Sequence, residues 1–282
     1  MDTKKNYGIN RACRVLSLST SVCYYQAKPK DLSHIEQALL QMAQEHPVEG
    51  FWKAHRRLKA QGAEWNHKVA HKVYVELGLP LRRKKKKRLP ERVKCPLEVP
   101  DRLDHTWSID FMEDRLENGR KVRFFIVLDD ANRECPHVEI DHSLKSTRIV
   151  WVLNHLMKRR NKPKKIRMDN GPEFIAKIAA NWSIAHNIEF QYIEPGCPTQ
   201  NAYVERFNGS YRRGVLNAYI FEGLDQARER SEQWLHDYNN HRPHDALNNM
   251  PPIPYAKKHL IGASPDQVLN SKTTKDPTLT LA

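Results

Sequence analysis

Five cysteines in 282 residues, at positions 13, 23, 95, 135 and 197, are few and scattered, and no two form a Cys-x-x-Cys pair. That argues against a disulfide framework and the common zinc modules, and fits reduced thiols in a reducing compartment. His67 and His71 stand at helical i,i+4 spacing, but no cysteine pair follows at ligand spacing, which speaks against zinc. Long apolar runs are also missing. None approaches the roughly 20 residues of a membrane-spanning helix, and the chain starts without an apolar signal core, so a cytoplasmic protein is expected.

What the sequence has instead is unevenly placed positive charge. Lysine and arginine number 47 against 33 aspartates and glutamates, a formal net charge of +14. Residues 1–97 hold 21 of the basic and 8 of the acidic side chains, and the other 185 residues are nearly balanced. A chain of this length accommodates about two domains. The split therefore predicts a basic N-terminal part that attracts a polyanion and a C-terminal part with another task. Nucleic acid is the expected polyanion, because each cation laid on a phosphate releases condensed counterions.

Helical periodicity dominates residues 1–80. Residues 12–25 read as two short helices around a polar turn, with Ala12, Val15, Leu16, Leu18, Val22 and Tyr25 as the inner face. This is a helix-turn-helix pattern suited to DNA, although a plain three-helix core shows the same periodicity. Ser33 and Glu36 form a capping box for a helix carrying Ile35, Leu39 and Met42. A further pair follows. One helix, from about 52 to 61, is stopped by Gly62; the next is capped by Asn66 and turns Val69, Val73 and Leu77 inward. Then Arg82, Arg83, Lys84, Lys85, Lys86, Lys87 and Arg88 form a self-repelling block, which predicts an extended basic linker over 81–97. A solvated charge run or an import signal would look the same, but the position between a helical region and a second domain favours an arm that tracks a DNA backbone.

From Trp107 the apolar period shortens to that of strands. Strands are predicted at about 107–112, 123–128, 137–140, 166–168 and 188–192, with helices at about 146–159, 172–186, 201–219 and 224–239. The order implies an α/β domain with a mixed five-stranded sheet and flanking helices over 98–260, preceded by an all-α domain. Residues 261–282 are polar and aperiodic, and disorder is expected there.

Three acids stand out in this second domain. Asp110 shares one side of its strand with Ser108 and Met112, while Trp107, Ile109 and Phe111 take the other. An acid inside an apolar strand is costly unless compensated, by a basic partner or by a metal. Asp169 ends a strand at Asp-Asn-Gly, ordinary turn chemistry placed where α/β sheets gather ligands. Glu205 follows after an interval of 35 residues, on a helix where Glu205, Asn208 and Arg212 recur at i, i+3 and i+7. Three converging carboxylates could hold two divalent metals, although an exposed salt-bridged helix face is the plainer alternative for the last. Asp129, at a strand end, is the strongest rival acid for these roles.

Trp107-Ser108-Ile109-Asp110-Phe111, Met168 through Phe174, the 35-residue interval and Pro198 through Arg212 together resemble the DDE transposase and retroviral-integrase superfamily. Within it, the likeness is to the OrfB products of bacterial insertion sequences. It covers about residues 10–258 and takes in Tyr238-Asn239, Arg242-Pro243-His244 and Ala246-Leu247. The resemblance implies an RNase H-like catalytic core in which Asp110, Asp169 and Glu205 bind Mg²⁺ or Mn²⁺, as two ions. It implies that Arg212 contacts DNA, with Asn208, Gln200, Asn201 and the 82–88 cations also set against DNA. The activity implied is strand cleavage by water, followed by attack of the freed 3′-hydroxyl on target DNA. Implied partners are the element's terminal inverted repeats, target DNA, further copies on that DNA, and an upstream-frame OrfA product as companion or fusion. The implied setting is the nucleoid of a bacterial cytoplasm. Departures are small: Asn132-Arg133 stands where Ser/Thr-Arg is usual, and Ala54 and Ala70 replace more typical residues. Two rivals remain, a catalytically silent DNA-binding regulator of transposase descent and an RNase H-like nuclease that hydrolyses without joining.

Overall fold

The computed structural model describes residues 8–26, 31–82, 97, 99–194 and 198–260. Of the predicted basic block only Arg82 falls among them, and it is exposed; Arg83, Lys84, Lys85, Lys86, Lys87, Arg88 and the 261–282 tail lie outside the described residues.

Five helices come first: α1 (Ile9–Val15), α2 (Thr20–Tyr24), α3 (Ser33–Glu45), α4 (Phe51–Ala60) and α5 (His67–Glu76). The last three enclose one small core made of Ile35, Leu39, Met42, Phe51, Ala54, Leu58, Ala70, Val73 and Tyr74. Asn66 caps α5 as expected, its Oδ1 accepting Lys68 N–H at 2.9 Å. The α3 cap differs from the predicted box, because Asp31 rather than Ser33 supplies the accepting oxygen, 3.0 Å from Ser33 N. In α5 Val73 is buried and Leu77 packs against the core as predicted, joined by Ala70 and Tyr74, but Val69 is exposed.

The α1–α2 hairpin departs further from expectation. Its two helices form, but Ala12, Val15, Leu16, Leu18, Val22 and Tyr25 are all exposed, Val15 at 78%, and Cys13 is the buried side chain. Helices of 7 and 5 residues are too short to turn a continuous apolar face onto a neighbour. Instead the hairpin closes on a thiol contact, Cys13 Sγ to Cys23 Sγ at 3.2 Å, which sequence spacing did not suggest.

The second body is a mixed sheet in the order β3-β2-β1-β4-β5. β1 (Thr106–Arg115), β2 (Lys121–Asp129) and β3 (His137–Asp141) form an antiparallel meander; β4 (Lys165–Met168) and β5 (Glu189–Tyr192) add parallel strands beyond β1. Alternation along β1 and β2 serves two cores. Trp107, Ile109, Phe125 and Val127 pack under α6 (Ser146–Met157) and α8 (Lys177–His186). Met112, Phe124, Ile126 and Leu128 pack under α9 (Ala202–Tyr211) and α10 (Leu224–Asn240). A last helix, α11 (Pro252–His259), closes the described chain.

Two predicted helices break. The one expected over 172–186 divides into α7 (Pro172–Ile175) and α8, because Ala176 is extended at φ −56° and ψ 140°. The one expected over 201–219 is α9 followed by a π-helical turn, Arg212–Leu216.

Candidate active site

Strand parity puts Asp110 on the α9 side of the sheet, opposite Ile126 of β2. β4 runs parallel beside β1 with Ser108 level with Arg167, so the residue just past its end, Asp169, comes level with Asp110. α9 packs across β1 on that same side, and Glu205 lies in its first turn. Three separate elements thus bring the three carboxylates to one end of the sheet.

Their partners are few. Asp110 Oδ1 accepts the Phe111 N–H at 2.8 Å and Oδ2 accepts Asn208 Nδ2 at 2.7 Å. Asp169 Oδ1 accepts the Gly171 N–H at 3.1 Å. Glu205 is exposed, with no hydrogen bond or ion pair among the described residues. Burial first, and then the negative charges of Asp169 and Glu205, push the Asp110 carboxyl up to about 6. The charges of Asp169 and Glu205 thus both act on Asp110, in keeping with the placement of all three at one end of the sheet. As the side chains stand, no three His, Cys, Asp or Glu groups among the described residues form a ready-made metal cage.

The surrounding acids are arranged otherwise. Every fully buried carboxylate among the described residues lies against an arginine: Glu49 on Arg57, Asp104 and Asp129 on Arg160, Asp130 on Arg167, Glu139 on Arg148. Asp129, the rival acid, also accepts the N–H groups of Asp104 and Ala131, which makes it a structural anchor. Glu173, near the Asp169 turn, is held by Arg123 at 2.5 Å, and Glu113 lies 3.4 Å from the same guanidinium. Asp110 is half-buried and, like the half-buried Asp114 and Asp141, has no ion pair among the described residues; what distinguishes it is that burial and two neighbouring acids raise its carboxyl. Three hard carboxylates with spare lone pairs fit an oxygen-preferring divalent ion, and two buried amide oxygens, Asn201 Oδ1 and Asn208 Oδ1, have no partner.

The residues expected to touch DNA fare differently. Arg212 is exposed on the π-turn, its Nη2 donating at 3.1 Å to the carbonyl of Glu113, three residues along β1 from Asp110. Asn208 faces Asp110 and spends its amide there. Gln200 ties the loop before α9 to the end of β5, its Oε1 accepting Glu194 N–H at 2.8 Å. Asn201 is only 3% exposed and donates to the Ile109 carbonyl at 3.4 Å, so it braces α9 on β1 and presents nothing to a duplex. Gly171 was not singled out from the sequence, yet a Cβ there would stand 3.0 Å from Asp169 Oδ1; the Asp-Asn-Gly turn was the available signal.

Comparison with known proteins bears on the family and the fold. Two family models, both described as an integrase core domain, match residues 100–198 and 186–252. A 31.7 kDa protein of insertion element IS407 from Burkholderia multivorans is 37% identical over 92% of this chain and 94% of its own length. A 39.2 kDa protein of insertion element IS476 from Xanthomonas euvesicatoria is 35% identical over 88% of this chain and 72% of its own length. Among solved structures, the simian T-cell lymphotropic virus intasome in complex with a PP2A regulatory subunit shares the fold at a TM-score of 0.50 and 17% identity, covering 79% of this chain and 78% of that one. The described core is thus the RNase H-like α/β fold of integrases, preceded by a helical region. The chain belongs to the DDE transposase and retroviral-integrase superfamily, among the bacterial insertion-element proteins that carry the integrase core domain.

Proposed function

We propose that the chain is the transposase of an insertion sequence, cutting DNA at the element's ends and joining the freed 3′-hydroxyl to target DNA. One observation carries this reading: strand register and the packing of α9 across β1 bring the carboxylates of 110, 169 and 205 to one end of the sheet, where Asp169 and Glu205 both act on the Asp110 carboxyl. Asp110, Asp169 and Glu205 would hold Mg²⁺ or Mn²⁺, as a pair of ions. When bound, such ions polarise the phosphodiester and neutralise charge on the attacking and leaving oxygens.

The chain's own groups do the rest. Asn208 and the Phe111 N–H fix the Asp110 oxygens, and the Gly171 N–H fixes Asp169. Ile109 and Trp107 point to the other face of β1, into the core under α6 and α8. Arg212 is pinned by one N–H and keeps others for a phosphate. The helical region would hold the duplex, with the 82–88 cations along its backbone. Its natural partners would be the terminal inverted repeats, target DNA, other copies on that DNA, and an upstream-frame product. A protein acting on the bacterial chromosome works in the cytoplasm, at the nucleoid; none of the described helices is long and apolar enough to cross a membrane.

Incubating the chain with a duplex carrying the element's own end and Mg²⁺ tests the proposal. Asp110→Asn, Asp169→Asn and Glu205→Gln are each expected to lower cleavage and joining at least about a thousandfold, a barrier increase of about 4 kcal/mol, while DNA retention changes little. Cleavage retained in all three variants would refute the assignment. Cut ends that never become joined products would point to a nuclease instead.

A further inference from the structure

Arg242-Pro243-His244 lies outside the site just described, yet it and the end of α10 form a joint with the helical region. Arg57 of α4 has a side chain only 5% exposed and divides its guanidinium between two bodies. Nε and Nη2 donate to Glu49 at 2.8 and 3.1 Å, whereas Nη1 and Nη2 donate to Asp237 of α10 at 2.8 and 2.6 Å. One turn earlier Lys53 Nζ donates to the Pro243 carbonyl at 2.8 Å, and Arg56 pairs with Asp245. Arg242 Nε stands 3.5 Å from Glu49, on the far side of the joint. Three cations on one α4 face, at i, i+3 and i+4, are therefore met by acceptors from a single nine-residue stretch, 237–245.

The socket is itself tied to the catalytic body. Tyr238 stacks edge-on against Phe207 of α9 at 5.0 Å, and Asn239 exchanges two hydrogen bonds with the Cys135 backbone, at 2.8 and 3.0 Å. From Arg57 to the helix bearing Glu205 there are thus two side-chain steps, both packed. The bidentate, part-buried Arg57–Asp237 pair is directional, where an apolar joint could slide.

We propose that this joint fixes the helical region on the core in one orientation, and so selects which phosphodiester of a held DNA end reaches Asp110, Asp169 and Glu205. Successive phosphates of one strand rise about 3.4 Å along the duplex axis, so a shift of that order along the axis presents the neighbouring bond. Arg57, Lys53 and Asp237 are positioning residues, acting through the placement of α4. The inference rests on the transposase reading above, with the helical region as the part that holds DNA.

Two measurements test it on the full chain. Nitroxides carried by unnatural side chains at positions 59 and 232 report the distance between the bodies, and end-labelled duplex carrying the element's terminus reports the cut position to the nucleotide. The variants are Asp237→Asn, and Lys53→Met combined with Arg56→Ala, the latter leaving Arg57 between its two carboxylates. The parent should show one narrow distance and one product. In both variants the distances should broaden, and cleavage should spread to adjacent phosphodiesters, with the parental product down about a hundredfold. A folded variant that keeps narrow distances, or that keeps the single cut, overturns the proposal; if Asp237→Asn does not fold, the double variant decides. A parent that cuts no duplex would defeat the transposase reading, and the distances alone would then uphold or overturn the fixed orientation.

Discussion

At the scale of single residues, the decisive property is whether a carboxylate has a cation. Arg160 compensates Asp104, Asp129 and Glu134 at 2.7, 3.0 and 2.7 Å, and it is itself largely enclosed. Arg160→Met would leave these acids facing one another, and a loss of about 3–5 kcal/mol of folding stability is expected in urea titrations. Asp110→Asn should do the reverse. With chelator present, removing a charge that burial and two neighbouring acids oppose should raise stability by about 1–2 kcal/mol while activity is lost. A variant no more stable than the parent would contradict the account of Asp110 as an uncompensated charge. Much of this was visible in the sequence, since alternation places an acid at 110 within an apolar strand. The role of Asn208 was not: an amide serves a phosphate or a carboxylate equally well, and only the fold decides which lies within reach.

Among the elements, strands were more legible than helices. All five strands fall near their predicted places, because period-two burial on two faces leaves a direct trace in residue order. The break at Ala176 leaves no such trace. Alanine favours helix, but Phe174 is buried among Phe111 and Phe125 and Arg123 holds Glu173, so tertiary contacts turn the chain there. The π-turn after α9 has a clearer local cause. Gly214 lies directly on the Trp234 indole, where a Cβ would collide with the ring. Gly214→Ala is therefore expected to cost about 1–3 kcal/mol in thermal or urea unfolding, through overpacking. It should also reduce strand joining more than DNA retention, because the same turn aims Arg212. Unchanged stability would show that the turn can shift away from the indole without penalty.

For the whole molecule, what matters is how the helical region is held to the core. Sequence pattern announced the 237–245 segment but not its partner, since a contact such as Arg57 to Asp237 spans 180 residues and no periodicity survives that distance. The pH response of this joint follows from its groups. Burial first, then the charges of Lys53 and Arg242, drive the His244 imidazole down to about 3. Between that value and the ordinary 6.5, the unfolded chain binds a proton that the folded chain refuses, so stability declines as pH falls from about 6.5. Glu49 and Asp237 add a second loss at lower pH. Burial alone would raise both carboxyls, but the hydrogen bonds and charge of Arg57 outweigh it and hold them below their ordinary values. Their contribution is complete above about pH 4.5 and disappears as pH falls through the lowered values. His244→Phe separates the two effects. It keeps the edge-on contact with Tyr238 and removes the titrating nitrogen. Between pH 6.5 and about 3 the parent should lose up to about 1.4 kcal/mol per pH unit more than this variant, and below about pH 4.5 both also carry the loss from Glu49 and Asp237. Urea midpoints at pH 7.5, 6.0, 5.0 and 4.0 measure it, and parallel lines for parent and variant would show that His244 takes up its proton in the folded chain as readily as in the unfolded one.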